Sequence, residues 1–163
     1  MSVADEYLYN NAAYALRYKD PISGRPSRHV AVVACMDARL AISELLGLGN
    51  GEAHVIRNAG GVVTDDVIRS LAISQRLLGT NEVILIHHTA CGMLTVTDES
   101  FKQSIQIDTG LRPPWAVEAF TDVEEDVRQS RARILASPYI PYKDDIRGFV
   151  FDVATGKLNE VTG

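Results

Sequence analysis

The sequence is poor in several features that would indicate other classes of protein. It has only two cysteines, too few for the disulfide framework of a small secreted domain. No apolar run approaches the roughly 20 residues that cross a bilayer, so we expect no membrane association. Lysine and arginine total 16 against 21 acidic residues, and the net charge is -5 without any basic cluster. Nothing in this composition supports a nucleic-acid partner.

The first residues also lack the basic start and apolar stretch of a signal peptide. We therefore expect a cytoplasmic protein whose thiols stay reduced, where a pair of cysteines more often binds a metal than forms a disulfide. The 163 residues suffice for one domain, 1–163, with a sizeable core.

Strand and helix patterns alternate along the chain. This alternation predicts an α/β fold with a mostly parallel central sheet flanked by helices, and a C-terminal hairpin adds an antiparallel edge strand. Strands are predicted at 29–35, 53–57, 82–87, 146–153 and 157–161. Helices are predicted at 3–19, 40–46, 64–79 and 122–135, with a further helix starting at Thr97. No role is predicted for the loop 108–120.

The segment 1–27 is predicted to form a projecting helix and an arm. Its tyrosines and leucines lie among alanines and charges, which indicates an amphipathic helix that Asp20 and Pro21 close. No strand precedes this helix for it to cover. We therefore expect it to pack on a second copy of the chain.

Both cysteines follow predicted buried strands. Cys35 opens the motif Cys35-x-Asp37-x-Arg39 after the first strand, and His88-x-x-Cys91 follows the third strand. The carboxyl ends of parallel strands meet at one edge of a sheet, where α/β proteins build their sites. Two cysteines and one histidine can hold a zinc ion and leave one tetrahedral position open. The motifs therefore predict a catalytic zinc site.

The adjacent histidines cannot both serve that site. Neighbouring residues of a strand face opposite ways, and the spacing to Cys91 selects His88 as the ligand. His87 is predicted to be packed or hydrogen-bonded, with proton transfer as a lesser alternative. His29 and His54 begin strands and are predicted to be structural or exposed.

A glycine-rich segment follows the second strand. Its glycines would let the backbone approach a small substrate closely, although a simple strand-to-helix turn explains them too. Val62 and Val63 suit either an apolar pocket for substrate or the core. The predicted substrate pocket comprises Asn58, Ala59, Gly60, Gly61, Val62 and Gly92.

Three motifs of the chain resemble those of the β-class carbonic anhydrases, particularly their short, minimal members, and they occur in the same order as in that family. They are Cys35-x-Asp37-x-Arg39, Arg57-Asn58-Ala59-Gly60-Gly61 and His88-x-x-Cys91-Gly92. The resemblance is close over residues 30–94 and extends to the layout of the rest. The chain departs from plant-like members after Cys91, where Gly92-Met93-Leu94 replaces their Gly-Gly.

The resemblance implies reversible hydration of carbon dioxide to bicarbonate by a zinc-bound hydroxide, with one zinc ion per subunit. It also implies a homodimer or larger homo-oligomer in which the N-terminal helix embraces the partner. Asp37 and Arg39 would form a dyad that orients the hydroxide, and Asp37 could become a fourth zinc ligand that closes the site at low pH. Two thiolate ligands neutralise the zinc charge, so we expect the hydroxide to form at a higher pH than in a three-histidine site.

Other functions fit parts of the pattern. The cysteines could be buried without a metal, or Asp37 could be the permanent fourth ligand of a non-catalytic zinc or redox-sensing module. A hydrolase of carbonyl sulfide or carbon disulfide would use the same attack on a linear, electrophilic carbon. A thiol hydrolase based on Cys91 lacks an obvious base in the sequence.

Overall fold

The structure is a computed structural model that describes residues 2–19 and 22–163. The strands are β1 Val30–Cys35, β2 Ala53–Asn58, β3 Glu82–His88, β4 Asp145–Phe151 and β5 Leu158–Val161. The α-helices are α1 Val3–Ala15, α2 Ile42–Leu46, α3 Asp65–Arg76, α4 Asp98–Thr109 and α5 Val123–Ala136. Short 3₁₀ turns occur at Ala59–Gly61 and Gly92–Leu94.

The strands form one sheet in the order β2-β1-β3-β4-β5. The pairs β1–β2, β1–β3 and β3–β4 are parallel, and β4 and β5 are antiparallel. The predicted α/β fold with an antiparallel C-terminal edge strand is confirmed. Strand β1 is buried at every residue because neighbouring strands and packed elements cover it on all sides, as expected for a central parallel strand.

Two apolar clusters lie on opposite faces of the sheet. Helices α3 and α5 cover one face, where Leu71 and Ile134 pack with residues of β1, β3 and β4. The other cluster joins α2 and the loops at the carboxyl edge of the sheet, and it contains both cysteines and Phe120. The side chains of Cys35 and Cys91 are therefore held in packed core.

Several predicted element boundaries differ from the observed ones by a few residues, and three of these differences have a clear local reason. His29 lies outside β1 in a left-handed conformation (φ 55°), with its Nδ1 2.9 Å from the carbonyl of Gly79. Leu40 precedes α2 because its N–H donates to the Asp37 carbonyl across a turn, at 3.1 Å. Strand β4 ends at Phe151 because the Asp152 carboxylate caps the following turn.

The predicted cap of α3 is present. The Thr64 hydroxyl accepts a hydrogen bond from Val67 N, and Asp65 and Asp66 occupy the first turn, where the helix dipole favours negative charge. In α5, the carboxylate of Asp122 accepts from two backbone N–H groups of the first turn.

Helix α1 projects from the rest of the chain. It ends at Ala15 rather than at residue 19, and the predicted closure at Asp20 and Pro21 lies outside the described residues. Its apolar side chains are exposed; Tyr7 is 66% and Leu8 69% accessible. Among residues 2–19 and 22–163, nothing covers these apolar side chains of α1. Across the described ranges, no helix is long and apolar enough to span a bilayer.

Candidate metal centre

Three potential ligands converge at the carboxyl edge of the sheet. Cys35 ends β1, His88 ends β3, and Cys91 follows on the turn after β3. The parallel register brings these ends together, since Ala34 pairs with Ile86 on the adjacent strand. The ligand atoms of the three residues lie within 4.8 Å of one another, and all three residues are buried.

The ring of His88 presents one free nitrogen. Its Nδ1–H donates to the Thr89 carbonyl at 2.9 Å, which fixes the tautomer and leaves the lone pair on Nε2. Nε2 is buried and has no hydrogen-bond partner among residues 2–19 and 22–163. An orphaned buried polar atom costs about 1–3 kcal/mol, which a bound metal ion would offset.

The two thiols act on each other. Both cysteines are free, and the neighbouring Cys91 thiol lowers the pKa of Cys35. The same interaction raises the pKa of Cys91. A cation bound between the two residues would displace the thiol protons and convert the pair into two thiolate ligands.

The donor set fits zinc. Two thiolates and one neutral imidazole are soft and borderline ligands of the kind zinc prefers, and three protein ligands leave a fourth position for water or substrate. The carboxylate of Asp37 is not part of the mutually close group in the described portion of the chain.

Arg39 holds the Asp37 carboxylate. Asp37 Oδ1 accepts from Arg39 N and Nε, both at 2.9 Å, and Oδ2 accepts from Nη2 at 2.8 Å. These bonds keep the pKa of Asp37 well below its usual range. The second contact of Arg39 Nη2 is the carbonyl of Ala90, at 3.0 Å. Asp37 Oδ2 nevertheless lies 3.6 Å from His88 Nε2, beside the predicted metal position.

The glycine-rich turn packs against the strand ends. A Cβ on Gly61 would lie 2.8 Å from the backbone nitrogen of Cys35, and both Gly60 and Gly61 have positive φ. Glycine at 61 is thus required for close packing of two backbone segments. Asn58 donates from Nδ2 to the Val62 carbonyl at 2.8 Å, which closes the turn.

The remaining predicted pocket residues differ in their surroundings. Val62 is buried in the cluster that contains both cysteines, whereas Val63 belongs to the core on the opposite face of the sheet. Ala59 is exposed, and Gly92 has open space where a side chain would be. Their contact with substrate stays a prediction.

The histidines outside the metal centre are structural. His87 is fully buried, and its Nε2–H donates to Asp126 Oδ2 at 2.7 Å, so the predicted hydrogen-bonded role is confirmed. His54 Nδ1 lies 2.8 Å from Ser74 Oγ, and its Nε2 contacts the Gly24 carbonyl at 3.1 Å.

The structure gives the loop before α5 a purpose that the sequence did not reveal. The carboxylate of Asp98 accepts hydrogen bonds from the backbone N–H groups of Val117, Glu118 and Ala119. This pins the loop, and the next residue, Phe120, packs near Gly60 and against the ring of His87. The loop therefore supplies part of the apolar wall behind the metal centre.

Known proteins share this architecture. The family model described as carbonic anhydrase matches residues 30–138. Beta-carbonic anhydrase 1 of Mycobacterium tuberculosis is 64% identical over 162 residues, covering 99% of both chains. The crystal structure of carbonic anhydrase from Streptococcus mutans superimposes with a TM-score of 0.93 at 43% identity, over 99% of both chains. A carbon disulfide hydrolase of Acidithiobacillus thiooxidans is 35% identical, over 81% of this chain and 76% of that protein.

The two adjacent histidines give a sharp test of the metal centre. Loss of a residue that hydrogen-bonds to a metal ligand typically weakens metal binding by roughly 10- to 100-fold. We expect His88→Ala to weaken zinc binding by more than this, because the variant loses a ligand itself. His87→Ala should keep zinc but lose stability, because Asp126 is left buried without its partner. Zinc content by mass spectrometry and urea unfolding measure the two effects. Equal zinc loss in both variants would contradict the assignment of His88.

Proposed function

The chain belongs to the β-class carbonic anhydrases, and on that basis we propose how its residues carry out the reversible hydration of carbon dioxide to bicarbonate and a proton. The enzyme is a carbonate dehydratase. The observation that carries the proposal is the convergence of two buried thiols on a histidine nitrogen that has no other partner.

Cys35, His88 and Cys91 would hold one zinc ion per subunit. When bound, zinc would lower the pKa of a coordinated water and so supply a hydroxide nucleophile, at a higher pH than in a three-histidine site because two of the ligands are thiolates. The chain itself supplies two features of the site. The ligands are buried, so other metal-binding groups cannot reach them, and an apolar wall that includes Phe120 lies behind them.

Asp37 is the residue placed to orient the nucleophile. Its Oδ2 lies 3.6 Å from His88 Nε2. The carboxylate could therefore contact a water or hydroxide at the fourth position of a zinc ion bound to His88. Because Arg39 keeps this carboxyl ionised, Asp37 can only accept hydrogen bonds. A carboxylate here would accept a hydrogen bond from the hydroxyl group of the nucleophile and leave an oxygen lone pair directed at the substrate carbon. The proton released in the reaction leaves through solvent, since Asp37 is too acidic to keep it.

The same carboxylate is the candidate for closing the site in acid. If Asp37 left Arg39, it could occupy the fourth position, and hydroxide would compete with it better as the pH rises. The titratable and charged groups around Asp37 are Arg39, His88 and the two cysteines. Since the Asp37 pKa is lowered, its carboxylate stays ionised in mild acid, and loss of activity there would report ligand exchange rather than its own protonation.

Hydrolysis of carbon disulfide is the second candidate, since relatives of that activity match most of the chain. The identity to those enzymes is about half that to the mycobacterial carbonic anhydrase. The carbonic anhydrase activity is therefore favoured.

We further propose a homodimer or larger homo-oligomer in the cytoplasm. Helix α1 presents Tyr7, Leu8 and Tyr14 to solvent in the single chain, and burying such surface against a second copy would stabilise it. A reduced compartment would keep the thiol ligands free. Cell fractionation tests the location.

Stopped-flow measurement on zinc-verified protein tests the function. We expect carbon dioxide hydration that rises towards alkaline pH, because two thiolates leave little positive charge on the metal. Carbon disulfide should be hydrolysed far more slowly. Faster turnover of carbon disulfide would support the second candidate, and zinc without either turnover would contradict the proposed activity.

Removal of the Asp37 carboxylate tests both of its roles. Asp37→Ala should lower the hydration rate at alkaline pH by roughly 10²- to 10⁴-fold, the usual contribution of a positioned acid or base. Its residual activity should fall in acid only as far as protonation of the zinc-bound hydroxide requires, without the additional loss that the closing ligand causes in the wild type. Asp66→Ala, at an exposed carboxylate paired with Arg69, is the control and should match the wild type in both respects. An unchanged acid limb in Asp37→Ala would reject the closure.

Sedimentation equilibrium tests the assembly. We expect the full chain to sediment with a mass that is at least twice that of its 17.8 kDa monomer. Tyr7→Asp combined with Tyr14→Asp should shift this towards the monomer, whereas Ala13→Asp, on the other side of the same helix, should not. A monomeric wild-type chain at micromolar concentration would contradict the proposal.

A further inference from the structure

Arg57 bridges two main-chain carbonyls at the metal centre. It lies on β2, opposite Ala34 of β1. Its Nε donates to the carbonyl of Cys35 at 3.0 Å, and its Nη2 donates to the carbonyl of Asp37 at 2.8 Å. One rigid, planar group thus ties the backbone of a predicted zinc ligand to the backbone of the residue that orients the nucleophile.

The bridge lies where regular pairing ends. The ladder between β1 and β2 stops at Cys35 and Asn58, and the last backbone bond is Met36 N to the Asn58 carbonyl, at 2.7 Å. Beyond it the chain turns, with Leu40 N donating to the Asp37 carbonyl. The Arg57 guanidinium therefore holds the backbone for two residues beyond the end of β1, where the sheet no longer provides hydrogen bonds.

Arg57 forms no ion pair within the described ranges 2–19 and 22–163, unlike Arg39 beside it. The two hydrogen bonds of its side chain both go to the backbone of segment 35–37. Asp37 is consequently held at two points, its carboxylate by Arg39 and its carbonyl by Arg57. Freeing the carbonyl would let the whole residue shift, even with the Arg39 pair intact.

We propose that Arg57 is a positioning residue for carbon dioxide hydration, setting the distance between the Cys35 thiolate and the Asp37 carboxylate. The inference rests on the proposed function of Asp37 and adds the group that keeps Asp37 in register with the metal ligands. A lysine cannot replace it, because an ammonium is a single point donor on a flexible stem and does not span two carbonyls in fixed geometry.

The chain offers a matched control for the loss of such a bridge. Arg131 also donates to two main-chain oxygens, those of Ile146 at 3.1 Å and Gly163 at 3.3 Å, near the start of β4 and away from the metal centre. Arg57→Lys and Arg131→Lys remove the same kind of contact and keep the charge. Only Arg57→Lys removes it at the metal centre.

The experiment compares both variants with wild type by zinc content, kcat, KM and the absorption spectrum of the cobalt-substituted protein. For Arg57→Lys we expect full metal loading, a kcat lower by about 10- to 100-fold and a nearly unchanged KM. Its cobalt spectrum should shift, because the carboxylate nearest the metal is displaced. Arg131→Lys should keep the wild-type kcat and spectrum. Added guanidinium ion should restore part of the kcat of Arg57→Ala.

Three results would overturn the proposal: a wild-type kcat and cobalt spectrum in Arg57→Lys, the same loss in Arg131→Lys, or no rescue of a folded Arg57→Ala. Failure of the proposed function is distinguishable from these. In that case the wild type itself would not hydrate carbon dioxide, while the cobalt spectra of the two lysine variants would still differ if the bridge positions Asp37.

Discussion

The site depends on one geometric constraint, the meeting of β1 and β3 at the same edge of a parallel sheet. Cys35 and His88 end these neighbouring strands, and the turn after β3 returns Cys91 to them. Each of the three side chains is buried, so none can reach a metal ion by a large movement without disrupting the core. The core and the site are therefore parts of one packing arrangement, and Gly61 is confined to glycine by the same arrangement.

Charge explains why a carboxylate is held so firmly beside that site. Two thiolates would cancel the charge of a zinc ion, so the metal alone polarises water weakly and the orientation of the nucleophile gains importance. A free carboxylate next to an open coordination position would tend to bind there. Arg39 counters this with three hydrogen bonds to Asp37, and the Ala90 carbonyl in turn fixes the guanidinium. In the proposed closure of the site, the balance between these contacts and metal ligation decides whether the site is open.

Much of the fold and the convergence of Cys35, His88 and Cys91 could be predicted from the sequence, because they depend on local patterns. Apolar runs gave the parallel strands, and alternation along a strand separated His88 from His87. Element ends were less predictable. The left-handed backbone at His29 depends on a contact with Gly79, 50 residues away.

The supports of the site could not be predicted, because they join residues distant in the chain. The partner of His87 is Asp126, 39 residues away, and Asp98 pins backbone about 20 residues further on. Arg57 was visible only as a member of a motif; its bridge to the segment after β1 follows from strand pairing and side-chain reach. Such contacts leave no periodic signal in the sequence.

X-ray absorption spectroscopy of the zinc-loaded protein tests the central claim most directly, because it counts the atoms around the metal. Convergence of the three residues predicts two sulfur neighbours at about 2.3 Å and one nitrogen at about 2.0–2.1 Å, with a light atom as the fourth neighbour. A shell of nitrogen and oxygen alone, or a metal-free protein whose two cysteines form a disulfide, would contradict it.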